Sequence, residues 1–364
     1  MSDILPELNG KEYYKNIEDN YNIHFCSIGE VDKLVDFLKK YWRENHIFVL
    51  SRKLLDWQHL DESNNRYNFV VAKEKFTGEI HSILGFVPTS QYDRNIRNTE
   101  IWPCIWRTRP DVNVKGLGTV LYYFLKENIE IETISILGIS EIALSIYKKW
   151  DFISGKINHY YIMNPLINCY KLLGGYDNVV KYCDEYRCEN IEIEECEKDE
   201  YCNFDDDLKI FKASRYKSKK YYENRFLNHP IYKYKFLKVV KDGSFVGIFV
   251  GRECSNDDAK CLRIVDFIGD IKGAEGSVNS ILKYISKLGY EYIDFISAGI
   301  DDSILKRIGF VNKKSFKKLI IPNYFEPFLL ENVDLDYAFK TVENGVVPEF
   351  YKADADQDRP NVLI

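Results

Sequence analysis

Along the first half of the chain, apolar positions alternate between strand and helix periods. Val31, Leu34, Val35 and Leu38 recur at helical spacing and predict an amphipathic helix. Tyr67 to Ala72 and Ile80 to Val87 are β-rich runs separated by Thr77-Gly78, a turn, so they predict a hairpin. A further strand is expected over Ile101 to Thr108. A glycine-containing loop follows, then an apolar helix from Thr119 through Leu125. Thr133 to Leu137 predicts a strand, Ser140 to Trp150 a helix, and Ile157 to Met163 the last strand of this half.

The second half repeats that order more faintly. Tyr234 to Val240 and Phe245 to Val250 flank Asp242-Gly243, a strong hairpin signal. Leu262 to Ile268 is the next expected strand. A loop with Gly273 and Gly276 leads into a helix through Ile281, Leu282 and Ile285. Tyr292 to Ile296 predicts a strand, and Asp301 to Ile308 a short helix before Gly309-Phe310. The interval from Gly118 to Phe152 equals that from Gly276 to Phe310. Two copies of one unit are therefore expected.

Composition narrows the class. The chain has 364 residues, room for two domains, and 45% of them are apolar, too many for a disordered protein. Its net charge of −6 argues against a nucleic-acid partner, which needs a basic footprint. The first residues lack a signal-peptide pattern, and no apolar run reaches the roughly 20 residues of a membrane span. The nine cysteines include no C-x-x-C pair. They are expected as reduced thiols of a cytoplasmic protein, with no metal site.

Candidate chemistry concentrates in Arg109-Pro110-Asp111-Val112-Asn113-Val114-Lys115-Gly116-Leu117-Gly118. This stretch follows a strand and opens a helix. Successive backbone N–H groups and the helix dipole converge there, which suits a pyrophosphate. Gly116 and Gly118 let phosphates approach the main chain, and Lys115 adds a charge.

At this loop the sequence resembles the GNAT family of N-acyltransferases, whose loop has the pattern Q/R-x-x-G-x-G/A. Asn113 stands at the first position in place of Gln or Arg. The family's later A-x-x-x-Y-x-x-x-G-F pattern is matched by Ala143 through Tyr147 to Phe152, with Asp151 where Gly is usual. The resemblance covers residues 22 to 163. It implies an α/β (α+β) fold of two tandem GNAT-like domains, each a mixed, largely antiparallel twisted sheet flanked by helices. It also implies acyl-CoA as co-substrate and transfer of its acyl group to the amine of a small acceptor. The cofactor would be held by Asn113, Val114, Lys115, Gly116, Leu117, Gly118 and Thr119. Trp106, Arg107 and Thr108 would lie beside the thioester. Tyr147 falls where many such enzymes keep an acid tyrosine. As general base, His81, Asp93, Glu100 and His159 come into question, and Asp93 and His159 are preferred.

In the second copy, Ala274 stands where Gly116 does, and Glu275 adds a charge that repels phosphate. One acyl-CoA site is therefore expected. The tail acids Asp354, Asp356 and Asp358 begin like a calcium loop, but Arg359 occupies the glycine position. The tail and Asn228 to Tyr234 also resemble tandem GNAT-like proteins of bacterial surface-polysaccharide synthesis. That likeness implies a nucleotide-linked amino sugar as acceptor, lined by His229, Tyr232, Asp354, Asp356, Asp358 and Arg359. Domains are expected at 1–165, 191–325 and a tail at 326–364, with a helical connector over 166–190. Two alternatives stand beside this: an aminoacyl-tRNA-dependent transferase with two such halves, and a non-catalytic acyl-CoA-binding module.

Overall fold

The computed structural model describes residues 17–96, 100–188, 190–213, 217–342, 345 and 347–362. Two compact units are present, the first ending at Ile136 and the second running Leu137–Pro360.

The first unit opens with strand β1 (Tyr21–Ser27), which the periodicity did not foretell. Helix α1 (Val31–Tyr41) follows and buries Val31, Leu34, Phe37 and Leu38 on one face. A shorter helix α2 (Arg52–His59) is capped by the Ser51 side chain, which accepts from Leu54 N–H. Strands β2 (Arg66–Glu74) and β3 (Ile80–Pro88) form the expected hairpin. Strand β4 (Glu100–Thr108) pairs antiparallel with β3, with an irregularity between Leu84 and Phe86. Helix α3 (Leu117–Asn128) buries Leu117, Val120, Leu121, Tyr122 and Leu125 and packs on β2 and β3. Strand β5 (Thr133–Leu137) runs parallel to β4, and the strand order β1-β2-β3-β4-β5 continues through two strands described below.

The second unit starts with helix α4 (Glu141–Lys149) and strands β6 (Ile153–Lys156) and β7 (Asn158–Met163). It continues with β8 (Ile191–Cys196), β9 (Tyr234–Lys241), β10 (Ser244–Asn256) and β11 (Ala259–Gly269). Helix α5 (Val278–Leu288), strand β12 (Tyr292–Ala298), helix α6 (Asp302–Ile308) and the short β13 (Val311–Asn312) follow. Two late strands, β14 (Asp336–Thr341) and β15 (Phe350–Tyr351), come from the tail. The sheet order is β13-β7-β12-β11-β10-β9-β8, with β15 also on β12. Asp242 and Gly243 both take positive φ, 49° and 73°, as the tight β9–β10 turn requires.

Three placements depart from the expected scheme. Strand β7, read as the end of the first half, lies in the second sheet against β12. Strand β6 pairs instead with β14, from the tail. The 166–190 stretch, expected as a helical connector, carries no helix among its described residues. Its Gly174 bridges Ile320, and Gly175 holds φ at 61°. Among the described residues, no helix is long and apolar enough to cross a membrane.

Candidate functional site

The site in the first unit begins with two strands that part. The parallel ladder between β4 and β5 holds Glu100 opposite Thr133 and Ile101 opposite Ile134, then ends. Strand β4 nevertheless continues to Thr108. The result is a fork whose apex carries the buried Glu100 carboxylate, bonded by Ser135 Oγ at 2.8 Å.

Beyond Thr108 the chain is fastened before it turns. Arg109 N–H donates to His81 O at 2.9 Å. The Arg109 guanidinium grips Asp111 and Glu79 at 2.7 and 2.6 Å and lies over the Tyr41 ring. Burial, and then the Arg109 charge, lower the His81 pKa below its usual value. Gly116 enters the helix at φ 81°, a left-handed conformation that an L side chain adopts at a cost. Among the described residues, the N–H groups of Gly116, Gly118 and Thr119 have no acceptor. All three residues are partly exposed, and Asn113 and Lys115 are exposed beside them. The start of α3 is thus an accessible set of donors at the positive end of a helix dipole.

Gly118 is closely fitted to β4. A Cβ there would stand 3.1 Å from Trp106 Nε1 and 3.2 Å from Thr108 Oγ1. The Trp106 indole also donates to Gly118 O at 3.1 Å, which ties β4 to the helix start. Thr108 Oγ1 shares a hydrogen bond with Ser82 Oγ at 2.8 Å, and Arg107 Nε donates to Tyr41 O. Trp106 and Thr108 therefore stand at the loop, while Arg107 reaches toward α1. Leu117 is buried in the core, and its N–H is spent on Val114 O.

The other expected residues are dispersed. Asp93 follows β3 in the first unit. It is buried, and its Oδ1 accepts from Asn95 N–H at 3.0 Å. Tyr147 lies in the second unit on α4, 1% exposed, against Trp150 and Phe152. Asp151 takes φ 58°, so it fills the left-handed position that the family pattern gives to glycine.

His159 is on β7. Its Nε2 is 2.8 Å from Asp294 Oδ2, and Arg263 binds that same carboxylate at 2.7 Å. Against the cost of burial, Arg263 and then His159 draw Asp294 down to about 2. Burial lowers the His159 pKa, with Asp294 opposing.

The expected acceptor-binding residues are engaged by groups of the second unit. His229 Nδ1 accepts from Ile231 and Tyr232 N–H at 3.1 and 2.8 Å. Burial, then Arg225, push its pKa down to about 3. The Tyr232 hydroxyl donates to Glu326, and Arg252 covers its ring at 4.0 Å. Asp358 is 2% exposed, bound by Arg252 and by the Tyr234 hydroxyl at 2.8 Å. Asp356 pairs with Arg359 at 3.5 Å.

Asp354 belongs to a buried triad that sequence reasoning missed. Lys217 Nζ stands 2.8 Å from both Asp266 and Asp354. Burial lifts Asp266 to about 6 against the pull of Lys217, and Asp354 adds to the rise. Nothing in the local pattern around Lys217 marks it, because both its partners lie far away in sequence.

This triad sits where the second unit has its own fork. The ladder between β11 and β12 spans Leu262–Ile293 to Ile264–Phe295, while β11 runs on to Gly269. Strand β15 enters there. Tyr351 and Phe350 pair with Ser297 and Ala298 of β12, and Ala353 N–H donates to Val265 O of β11. The matching helix start is also closed: Gly276 N–H donates to Arg307 O at 2.8 Å, Gly276 O accepts from Cys188 N–H, and Glu275 pairs with Arg307.

Among the described residues, no cluster of three His, Cys, Asp or Glu side chains could hold a metal ion, and all nine cysteines are free thiols. No family model matches the chain, and no curated protein matches it. Solved structures do. A GCN5-related N-acetyltransferase from Anabaena variabilis aligns over 89% of this chain and 73% of its own, with TM-score 0.53 and 11% identity. One from Kribbella flavida aligns over 89% and 72%, with TM-score 0.50 and 9% identity. At such identities the likeness concerns the fold: two mostly antiparallel sheets flanked by helices, as in tandem GNAT-like proteins.

Proposed function

We propose that this chain is an acyl-CoA-dependent N-acyltransferase with a single cofactor site, in the first unit. The carrying observation is the coincidence of a β4–β5 ladder that ends after two residue pairs with N–H groups at the partly exposed Gly116, Gly118 and Thr119. The loop residues Asn113 to Thr119 would hold the diphosphate, with Lys115 adding charge. Main-chain groups of β4 near Trp106 to Thr108 would hold the arm that leads to the thioester. The closed fork of the second unit supports one site per chain.

In this reading the acceptor's amine nitrogen bonds to the thioester carbon. The carbon–sulfur bond breaks, the amine loses a proton to a base, and the thiolate takes one up. Donors facing the fork stabilise the oxygen that becomes negative. Asp93 and His159 are the candidate bases and Tyr147 the candidate acid. The finer form of the proposal has a nucleotide-linked amino sugar as acceptor.

A screen of acyl-CoAs against amine acceptors, nucleotide-linked amino sugars among them, tests this by following free thiol release. Acceptor-dependent thiol release is expected. Tight acyl-CoA binding with no release across the panel would replace the enzyme by an acyl-CoA-binding module. Asp93→Asn or His159→Asn should cut turnover more than acyl-CoA binding. Full activity in either variant clears that residue of the base role.

A further inference from the structure

The second unit holds a cavity of about 40 Å³ lined by His159, Asn323, Lys313, Lys314 and Asp334, with Ile296 among its apolar walls. About 10–15 Å³ of such space houses one water, so this one suits a small head group.

Its polar groups favour an anion. Lys352 Nζ donates to Asn323 Oδ1 at 2.9 Å and thereby fixes the amide's orientation. Asn323 is 4% exposed, and its Nδ2 has no hydrogen-bond partner among the described residues. A buried donor left unmatched calls for an acceptor. Lys313 is half-buried, and burial lowers its pKa. Lys314 Nζ reaches Asn158 Oδ1 at 2.5 Å. The two carboxylates nearby are already engaged, Asp334 by Lys156 at 3.1 Å and Asp294 by Arg263. Because Asp294 is ionised, it accepts a hydrogen bond from His159 Nε2–H, which leaves Nδ1 to gain a proton.

We propose that this cavity binds the oxyanion, carboxylate or phosphate, of a small molecule, and that His159 takes up a proton at Nδ1 as it binds. Asn323 Nδ2 and Lys313 Nζ supply the other donors. Its test is read by binding without acyl-CoA, so it can fail or stand apart from the acyltransferase reading.

The full chain, labelled at histidine with ¹⁵N and ¹³C, would be titrated with inorganic phosphate and separately with acetate, following the imidazole resonances. The expected result is a saturable change at His159. Its titration midpoint should rise by about one unit or more, as an opposite charge at close range favours the imidazolium. Lys313→Met should weaken binding about tenfold or more, and Asn323→Asp, which keeps the acceptor for Lys352, should do the same. A response to phosphate alone or acetate alone names the head group, and both together support the shared chemistry. No change, a change that only parallels the more exposed His24, or one that both variants leave intact overturns the proposal.

Discussion

The two forks are built alike and finished differently. In the first unit, β4 and β5 separate beyond Ile101, and the helix that follows presents open N–H groups. In the second, β11 and β12 separate beyond Ile264, but the chain's own residues 350–353 fill the gap and hydrogen-bond to both arms. The second helix start is covered by Arg307 and residue 188. One geometry thus has two outcomes: in the first unit the ladder ends after Ile101, and in the second the chain's own tail continues it. The tail is held there because Lys217 joins Asp354 to Asp266 of β11.

The largest expected effect tests the plug. Lys217→Met leaves two carboxylates buried without their cation, and a broken buried pair costs about 3–5 kcal/mol. Denaturant unfolding measures it, and a loss below about 1 kcal/mol would show that the triad does not hold the tail.

Next comes the open fork. Gly116→Asp places a negative charge among the donors and should lower acyl-CoA affinity about 100-fold, near 2.8 kcal/mol. Circular dichroism should show the fold retained despite the strained φ. Calorimetry showing unchanged affinity would remove the loop from the cofactor site.

Per pH unit, a smaller effect comes from the sealed interior's response to acid. His229 is depressed to about 3 in the fold, against an ordinary value of about 6.5. The unfolded chain therefore binds more protons between these values. The stability that His229 permits is complete above about pH 6.5 and is lost as pH falls toward 3, by at most about 1.4 kcal/mol per unit. His229→Asn retains an acceptor for the two N–H groups and should flatten that decline in melting temperature. An unchanged slope assigns the acid sensitivity to other groups.

The smallest expected effect is none. Glu275→Ala removes the charge that distinguishes the second loop, yet Gly276 N–H remains bonded to Arg307 O. Acyl-CoA stoichiometry should stay at one per chain, and a second equivalent would mean that charge alone had closed that fork.

Local pattern made much of this legible. The α1 stripe, the β2–β3 hairpin, the Asp242-Gly243 turn and the glycine loop all depend on neighbours within a few residues. Strand β8 went unread, although Ile191 and Ile193 alternate there with Glu192 and Glu194. Harder to see was the tail. Its alternating acids resemble a solvated end, but Asp354 and Asp358 are each 2% exposed. Their cations, Lys217 and Arg252, are remote in sequence, so no window around the tail contains the pairing. The site residues divide the same way: the loop was visible as a stretch, whereas the links from His159 to Asp294 and Arg263 join three separate strands.

By itself, the amino-acid order determined where helices and strands form and where glycine is needed, because backbone preference and apolar period act over a few residues. Only the tertiary structure decided that β7 joins the second sheet, that β6 pairs with β14, and that the tail closes one fork and not the other. Strand edges will accept many partners of suitable register. The choice among them rests on burial and charge pairing between residues far apart along the chain.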